Sequence, residues 1–270
     1  MSMKNRQIIA LLTDFGHNSW YTSAIKGVIL GISSGVNIVD ISHDVPPQDI
    51  QKGAYILDFV SRYYSKDTIF LCIVDPGVGT DRSLIILKTE VGHLFVAPDN
   101  GLLTLVAIRE VTRKIIKIKN TRYMLSEVSK TFHGRDVMAP VAAHLANGAP
   151  IESLGPEIKR IKRLELERPI VEERTIKGKI IFVDDFGNII TNIESLMLRE
   201  IDLVIGNKIR VTLGRSNDIV NLFEKYSDAK VSVSLGLVGS TNFFELAVNR
   251  GDAAKRYGAS TGMDIVIERI

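Results

Sequence analysis

Asp75 and Arg82 share one short stretch, CIVDPGVGTDR, at residues 72–82. An apolar run, 69–74, ends abruptly at Asp75-Pro76-Gly77. The pattern predicts a buried strand that delivers a carboxylate to the edge of a sheet. Pro76 and Gly77 stop the strand, and Gly79 permits turn dihedrals that other residues avoid. The turn brings Arg82 back to the same rim. Strand C-terminal ends are where open α/β sheets bind ligands. Taken alone, the stretch also fits an Asp-Pro turn with a solvated arginine.

Other stretches carry candidate chemistry. Asp-Phe-Gly occurs at 14–16, after Thr13, and again at 185–187. In protein kinases this tripeptide holds Mg²⁺, but no catalytic-loop or lysine-strand signature accompanies it here. Both copies follow a strand pattern, and a carboxylate at a strand end can accept hydrogen bonds from vicinal ribose hydroxyls. Gly77-Val78-Gly79-Thr80 lacks the Lys-Ser/Thr of a phosphate loop. His17, His43, His93, His133 and His144 are scattered, with no metal spacing and no thiol partners, so no metal site is expected. His133 stands out because it precedes Gly134-Arg135-Asp136, although a loop histidine at a helix start reads the same way. Asp184-Asp185-Phe186-Gly187-Asn188, with Thr191 and Asn192, is a hairpin candidate. It equally offers a carboxylate and an amide to the two ends of an amino acid.

These residues need elements to position them. Residues 7–12 read as a strand, 20–32 as a helix closing at Gly31 and Gly35, and 38–41 as a second strand. Gln48 or Asp49 can start the next helix, with Ala54, Leu57 and Val60 roughly on one face. The strand ending at Asp75 follows. This alternation predicts a mainly parallel sheet covered by helices on both faces. Beyond it, 83–88 and 93–97 read as strands, 102–108 as a helix, and 137–147 as a helix with Asp136 as N-cap. The charged stretch 155–178 carries Pro156 and Pro169 and marks a boundary. Residues 1–165 are expected to form an α/β domain and 175–270 a smaller β-barrel. Strands there are expected at 179–183, 189–193, 208–213, 231–235, 243–248 and 264–268.

Composition narrows the classes. The chain has 270 residues, 45% hydrophobic and 24% charged, with a net charge of +3 from 34 basic and 31 acidic residues. Such values are ordinary for a soluble globular protein. The one dense basic stretch, KRIKR at 159–163, reads as a solvated connection, so no nucleic-acid partner is expected. The single cysteine, Cys72, lies in an apolar strand. It fits a reducing cytosol and is poorly placed as a nucleophile. The opening MSMKNRQ has no signal-peptide core, and no apolar run approaches the ~18 residues that span a membrane. A cytoplasmic protein is the expectation.

Read together, LLTDFG, KGVIL, DISHDVPPQDIQKGAYIL, IVDPGVGTDR, FVAPDNGLLT, TFHGRD, VDDFGNIITNI and FELAVNRGDAA are informative. Their order, from residue 11 to residue 254, resembles that of the S-adenosylmethionine (SAM) hydroxide adenosyltransferases, relatives of fluorinase and chlorinase. The resemblance implies an α/β N-domain, a C-terminal β-barrel and a homotrimer with active sites between subunits. It carries the catalytic triad onto Asp75, Arg82 and His133, and the ribose contact onto Asp14. The methionine contacts fall on Asp184 and Asn188, and the adenine contacts near 250–259. Relatives commonly show an acid and then Tyr-Val-Gly after TDFG. Here Ser19 stands near the acid's place, and Tyr21 is followed by Thr22 and Ser23, which alters the wall of the adenosine pocket.

The implied reaction is attack of water or hydroxide on the ribose C5′ of SAM, giving adenosine and L-methionine. Methionine leaves as a neutral thioether, so no general acid, metal or cofactor is implied. The obstacle is water itself, with a pKa of about 15.7. Asp75 can accept a water hydrogen, Arg82 can orient it, and His133 can take or relay the proton. Two other readings stand beside this one. In halide-using relatives an aromatic replaces Asp75 and a serine replaces Gly134. A halide beside a carboxylate is repelled by several kcal/mol at an effective dielectric of about 20. A non-catalytic SAM or nucleoside-binding module would not need all three triad groups.

Overall fold

The structure, a computed structural model, describes residues 7–270. Residues 1–6 of the MSMKNRQ stretch therefore lie outside it. The chain forms two units, one running to Glu165 and the other spanning Leu166–Ile270.

The N-terminal unit alternates strands and helices. In order these are β1 (Ile8–Thr13), α1 (Trp20–Ile32), β2 (Asn37–Ser42), α2 (Ile50–Ser61), β3 (Ile69–Ile73), β4 (Leu84–Thr89), β5 (Leu94–Pro98), α3 (Thr104–Arg109) and β6 (Thr112–Lys117). A π-helical turn, Gly134–Met138, then leads into α4 (Ala139–Ala146). The sheet order is β2-β1-β3-β5-β4-β6. β2, β1, β3 and β5 are parallel, while β4 and β6 run antiparallel to their neighbours.

Side-chain alternation builds two cores from one sheet. Ile9, Leu11, Ile69, Leu71 and Ile73 face one side with Ile25 and Ile29 of α1 and Val141 of α4. Ala10, Leu12, Phe70, Cys72 and Val74 face the other, with Leu57 of α2 and Val106 of α3. A strand buried on both faces must be apolar at every position, which is why β3 reads IFLCI without a break. The register sets Thr13 beside Ile73. Asp14 and Asp75 therefore leave the sheet at the same edge from adjacent strands.

The C-terminal unit contains β7 (Ile170–Val171), β8 (Thr175–Val183), β9 (Ile189–Glu194), α5 (Ser195–Glu200), β10 (Lys208–Leu213), β11 (Ser216–Leu222), β12 (Ser234–Val238), β13 (Phe243–Val248), α6 (Ala253–Tyr257) and β14 (Asp264–Arg269). The order β14-β10-β11-β12-β13-β9-β8 closes into a barrel through β8–β14 pairing. Phe244, Ile209, Leu246, Ile265 and Ile267 fill its interior.

Several elements differ from the sequence reading. β6 and β11 were not anticipated. β11 opens with Ser216, Asn217 and Asp218 and buries only Val220 and Leu222, so its apolar signal is thin. The strand expected at 231–235 starts later, because Ser232 adopts φ 64° and breaks the extended run. The helix expected at 137–147 begins with the π-helical turn at Gly134. Asp136 lies inside that turn and is not an N-cap. Among the described residues, no helix is long and apolar enough to cross a membrane.

Candidate active site

A cavity of about 700 Å³ opens in the N-terminal unit, where β1, β3 and the π-helical turn converge. Asp14, Asp75 and His133 line it.

Asp75 and Arg82 form its most constrained pair. Arg82 Nε donates to Asp75 Oδ1 at 2.8 Å and Oδ2 at 2.9 Å, and Nη2 also reaches Oδ2. Each side chain is only 6% exposed. Gly79 makes the intervening turn possible. Its φ is +82°, and a β-carbon there would stand 2.7 Å from the Lys130 carbonyl oxygen. The turn is thus pressed against the segment that leads into His133.

Arg82 Nη2 lies 3.0 Å from His133 Nδ1. A guanidinium can only donate, so Nδ1 accepts. The neutral ring then carries its hydrogen on Nε2. A protonated ring would set two donors against each other. Burial, and then the Arg82 charge, push the His133 pKa down, against the pull of Asp75 and Asp136.

The backbone at His133 sits tightly on β3. A β-carbon at Gly134 would stand 3.1 Å from two carbons of Ile73. Asp136, fully buried, accepts from Arg135 Nε at 2.5 Å and from the Ser129 amide at 2.8 Å. Burial raises its pKa, but these hydrogen bonds outweigh burial and hold the carboxyl below its ordinary range. Arg135 in turn lies 4.9 Å from the Phe132 ring centroid. Asp136 therefore anchors the loop that presents His133. Its sequence signal was the charge directly after Arg135, and a cap assignment hid it.

Asp14 follows β1 and accepts the Gln48 backbone N–H through Oδ2 at 2.9 Å. Gln48 takes φ 68°, a sparsely populated value for a non-glycine residue. Burial raises the Asp14 pKa, the Gln48 contact opposes this, and the Asp75 charge adds to the rise. An aromatic wall that sequence reasoning did not assign completes the cavity. Tyr21 lies 4.1 Å from Trp20, 4.9 Å from Phe132 and 5.4 Å from Phe15, centroid to centroid. Ser19, one of the departures noted above, caps α1 by accepting the Tyr21 N–H.

Asp184 and Asn188 lie in the C-terminal unit, on the hairpin between β8 and β9. They line a cavity of about 650 Å³ there with Phe186, Tyr226 and Arg250. Asp184 Oδ1 accepts from the Phe186 and Asn188 amides at 2.9 and 2.8 Å, and Oδ2 accepts from Asn188 Nδ2 at 2.9 Å. The pair thus shapes its own turn, with carboxylate lone pairs to spare. Nearby, the buried Glu245 accepts the Tyr226 hydroxyl. Among the described residues, no three His, Cys, Asp or Glu side chains gather into a metal-binding set.

The SAM hydroxide adenosyltransferase N-terminal domain pattern matches residues 9–155, and the C-terminal domain pattern matches residues 178–266. A Methanocaldococcus jannaschii protein named (R)-S-adenosyl-L-methionine hydrolase is 36% identical over 256 residues, covering 92% of this chain and 90% of that one. A fluorinase of Nocardia brasiliensis is 28% identical over 294 residues, covering 97% of each. The solved structure of an uncharacterized conserved protein from Thermotoga maritima superposes with a TM-score of 0.94. It is 37% identical, over 97% of this chain and all of that one.

The His133 geometry sets a pH dependence. Its lowered pKa keeps the ring neutral above a midpoint below the ordinary 6.5, and acid converts Nδ1 to a donor facing Arg82. For a reaction that uses the neutral His133 ring, turnover measured across pH should therefore hold through neutrality and fall with a midpoint below 6.5. An acid limb centred above 6.5 would contradict this arrangement.

Proposed function

The chain belongs to the SAM hydroxide adenosyltransferase family, and from that membership we infer that it hydrolyses S-adenosyl-L-methionine to adenosine and L-methionine. The observation that carries the reading to particular residues is the Asp75–Arg82–His133 array at the cavity.

In this proposal water attacks the ribose C5′, the C5′–S bond breaks, and its electron pair stays on sulfur. The sulfonium charge disappears as methionine leaves, and one proton is released to solvent. Asp75 accepts a hydrogen from the attacking water and aims its lone pair. Arg82 holds Asp75 with one part of its fork and His133 with another. His133, with Nδ1 engaged, offers the Nε2 hydrogen to the nucleophile. That role steadies developing hydroxide, whereas the sequence alone allowed His133 to take or relay the proton. Asp14 accepts from the ribose hydroxyls, while Asp184 and Asn188 hold the methionine end. No metal or cofactor takes part in this scheme.

A halide-using reaction fits less well. Asp75 places a carboxylate where a halide would be repelled. A serine at 134 would also require Ile73 to move, given the 3.1 Å approach. Incubation with SAM in EDTA, without added cofactor, followed by chromatography separates the readings. Adenosine and L-methionine are expected. A halogenated nucleoside formed with added halide, unchanged SAM, or turnover that needs a divalent ion would each contradict the scheme.

The assembly proposed is a cytoplasmic homotrimer, with substrate held between the N-terminal unit of one subunit and the C-terminal unit of the next. The division of the ribose and methionine residues between two units supports it. The buried Cys72, whose thiol burial makes a poor acid, suits a reducing compartment. Light scattering should give three times the 29.9 kDa chain mass. A fully active monomer would refute the shared site.

A further inference from the structure

His43 follows β2 and is 3% exposed, and it is absent from the wall of the active-site cavity. Its polar groups turn toward the end of β1. Nδ1 lies 2.9 Å from Thr13 Oγ1, and that oxygen also accepts the Phe15 N–H at 3.4 Å. The His43 carbonyl accepts the Gly16 N–H at 2.7 Å. His43 therefore grips the chain on both sides of Asp14.

The surroundings fix the ring. Nε2 lies 3.2 Å from Asp40 Oδ1, within ion-pair distance but without hydrogen-bond alignment. Lys26 Nζ binds Asp40 Oδ2 at 2.6 Å and offsets its charge. His17 packs edge-on at 5.7 Å and pairs with Asp44 at 2.9 Å. Burial lowers the His43 pKa, and the Asp40 charge only partly opposes it. Thr13 donating to Nδ1, with the ring hydrogen on Nε2 facing Asp40, satisfies the most groups. Further along the same loop, Gln48 supplies the N–H bound by Asp14. One loop thus holds the carboxylate twice, by its turn and by its oxygen.

We propose that His43 is a positioning residue for Asp14: it locks the Thr13–Gly16 turn onto the loop after β2, so that the Asp14 carboxylate and the Gln48 N–H keep the one geometry that accepts ribose hydroxyls. The proposal rests on the assignment of Asp14 to the ribose of SAM. A residue that merely fills the core would change stability and leave substrate affinity alone.

A double-mutant cycle with Asp14→Ala tests this. SAM turnover and adenosine binding by calorimetry are measured for His43→Leu, His43→Gln and Thr13→Val, each alone and with Asp14→Ala. His43→Leu should raise KM about tenfold while kcat changes less than about threefold. Adenosine affinity should weaken by a similar factor. His43→Gln, which keeps a polar group toward Thr13, should recover most of the loss. In the Asp14→Ala background His43→Leu should add nothing. Thr13→Val removes the same contact and serves if His43→Leu fails to fold. An unchanged KM in a folded variant, or an equal penalty with and without Asp14, would overturn the proposal. Wild-type protein that binds adenosine but leaves SAM intact would refute the hydrolase reading instead, and the adenosine cycle would still decide the role of His43.

Discussion

A carboxylate and a guanidinium, each 6% exposed, face one another at the end of β3. Removing one partner of such a buried pair costs about 3–5 kcal/mol, because the other charge is stranded. The fold therefore commits to both residues or to neither. Arginine suits this place better than lysine. Its planar fork contacts both oxygens of Asp75 and still reaches His133 Nδ1, which a single ammonium does less well. The same fork fixes the histidine tautomer, so one cation sets the chemistry of two neighbours.

The rest of the N-terminal unit brings this pair to the cavity. Parallel pairing of β1 with β3 brings Asp14 and Asp75 to one edge. The close approach at Gly79 presses the Arg82 turn against the segment before His133. Asp136 then fixes the π-helical turn from within. Single π-helical turns often occur at functional sites. Here the turn follows His133 directly and seats its backbone on Ile73.

Much of this was legible in the residues. The unbroken apolar run of β3 and its Asp-Pro-Gly stop marked a strand end, because burial on both faces leaves no polar position. The barrel strands with strong alternation were equally plain. The polar half of β11 was not, since only its hairpin pairing with β10 holds Ser216, Asn217 and Asp218 extended, nor was the left-handed Ser232, whose N–H is bound by the Asn249 carbonyl. Asp136 shows the same limit. An acid before a helix usually caps it, and only the arrival of Ser129 and Arg135 turns it into a buried anchor. His43 and the Tyr21–Phe132 wall came from tertiary packing, which no spacing rule reports.

In the proposed reaction the Asp75 carboxylate, held by Arg82, prepares water for attack. Asp75→Asn keeps the size of the side chain and removes its charge. The decisive measurement is single-turnover hydrolysis of SAM by this variant, with SAM binding followed by calorimetry and folding by thermal melt on the same preparation. The expected result is a protein still folded but destabilised by about 3–5 kcal/mol, because Arg82 is left without its counter-charge, that binds SAM and turns it over ~10²–10⁴-fold more slowly, the usual range for a lost general base. Wild-type turnover in that variant would show that Asp75 is a structural turn residue and that the water is prepared elsewhere.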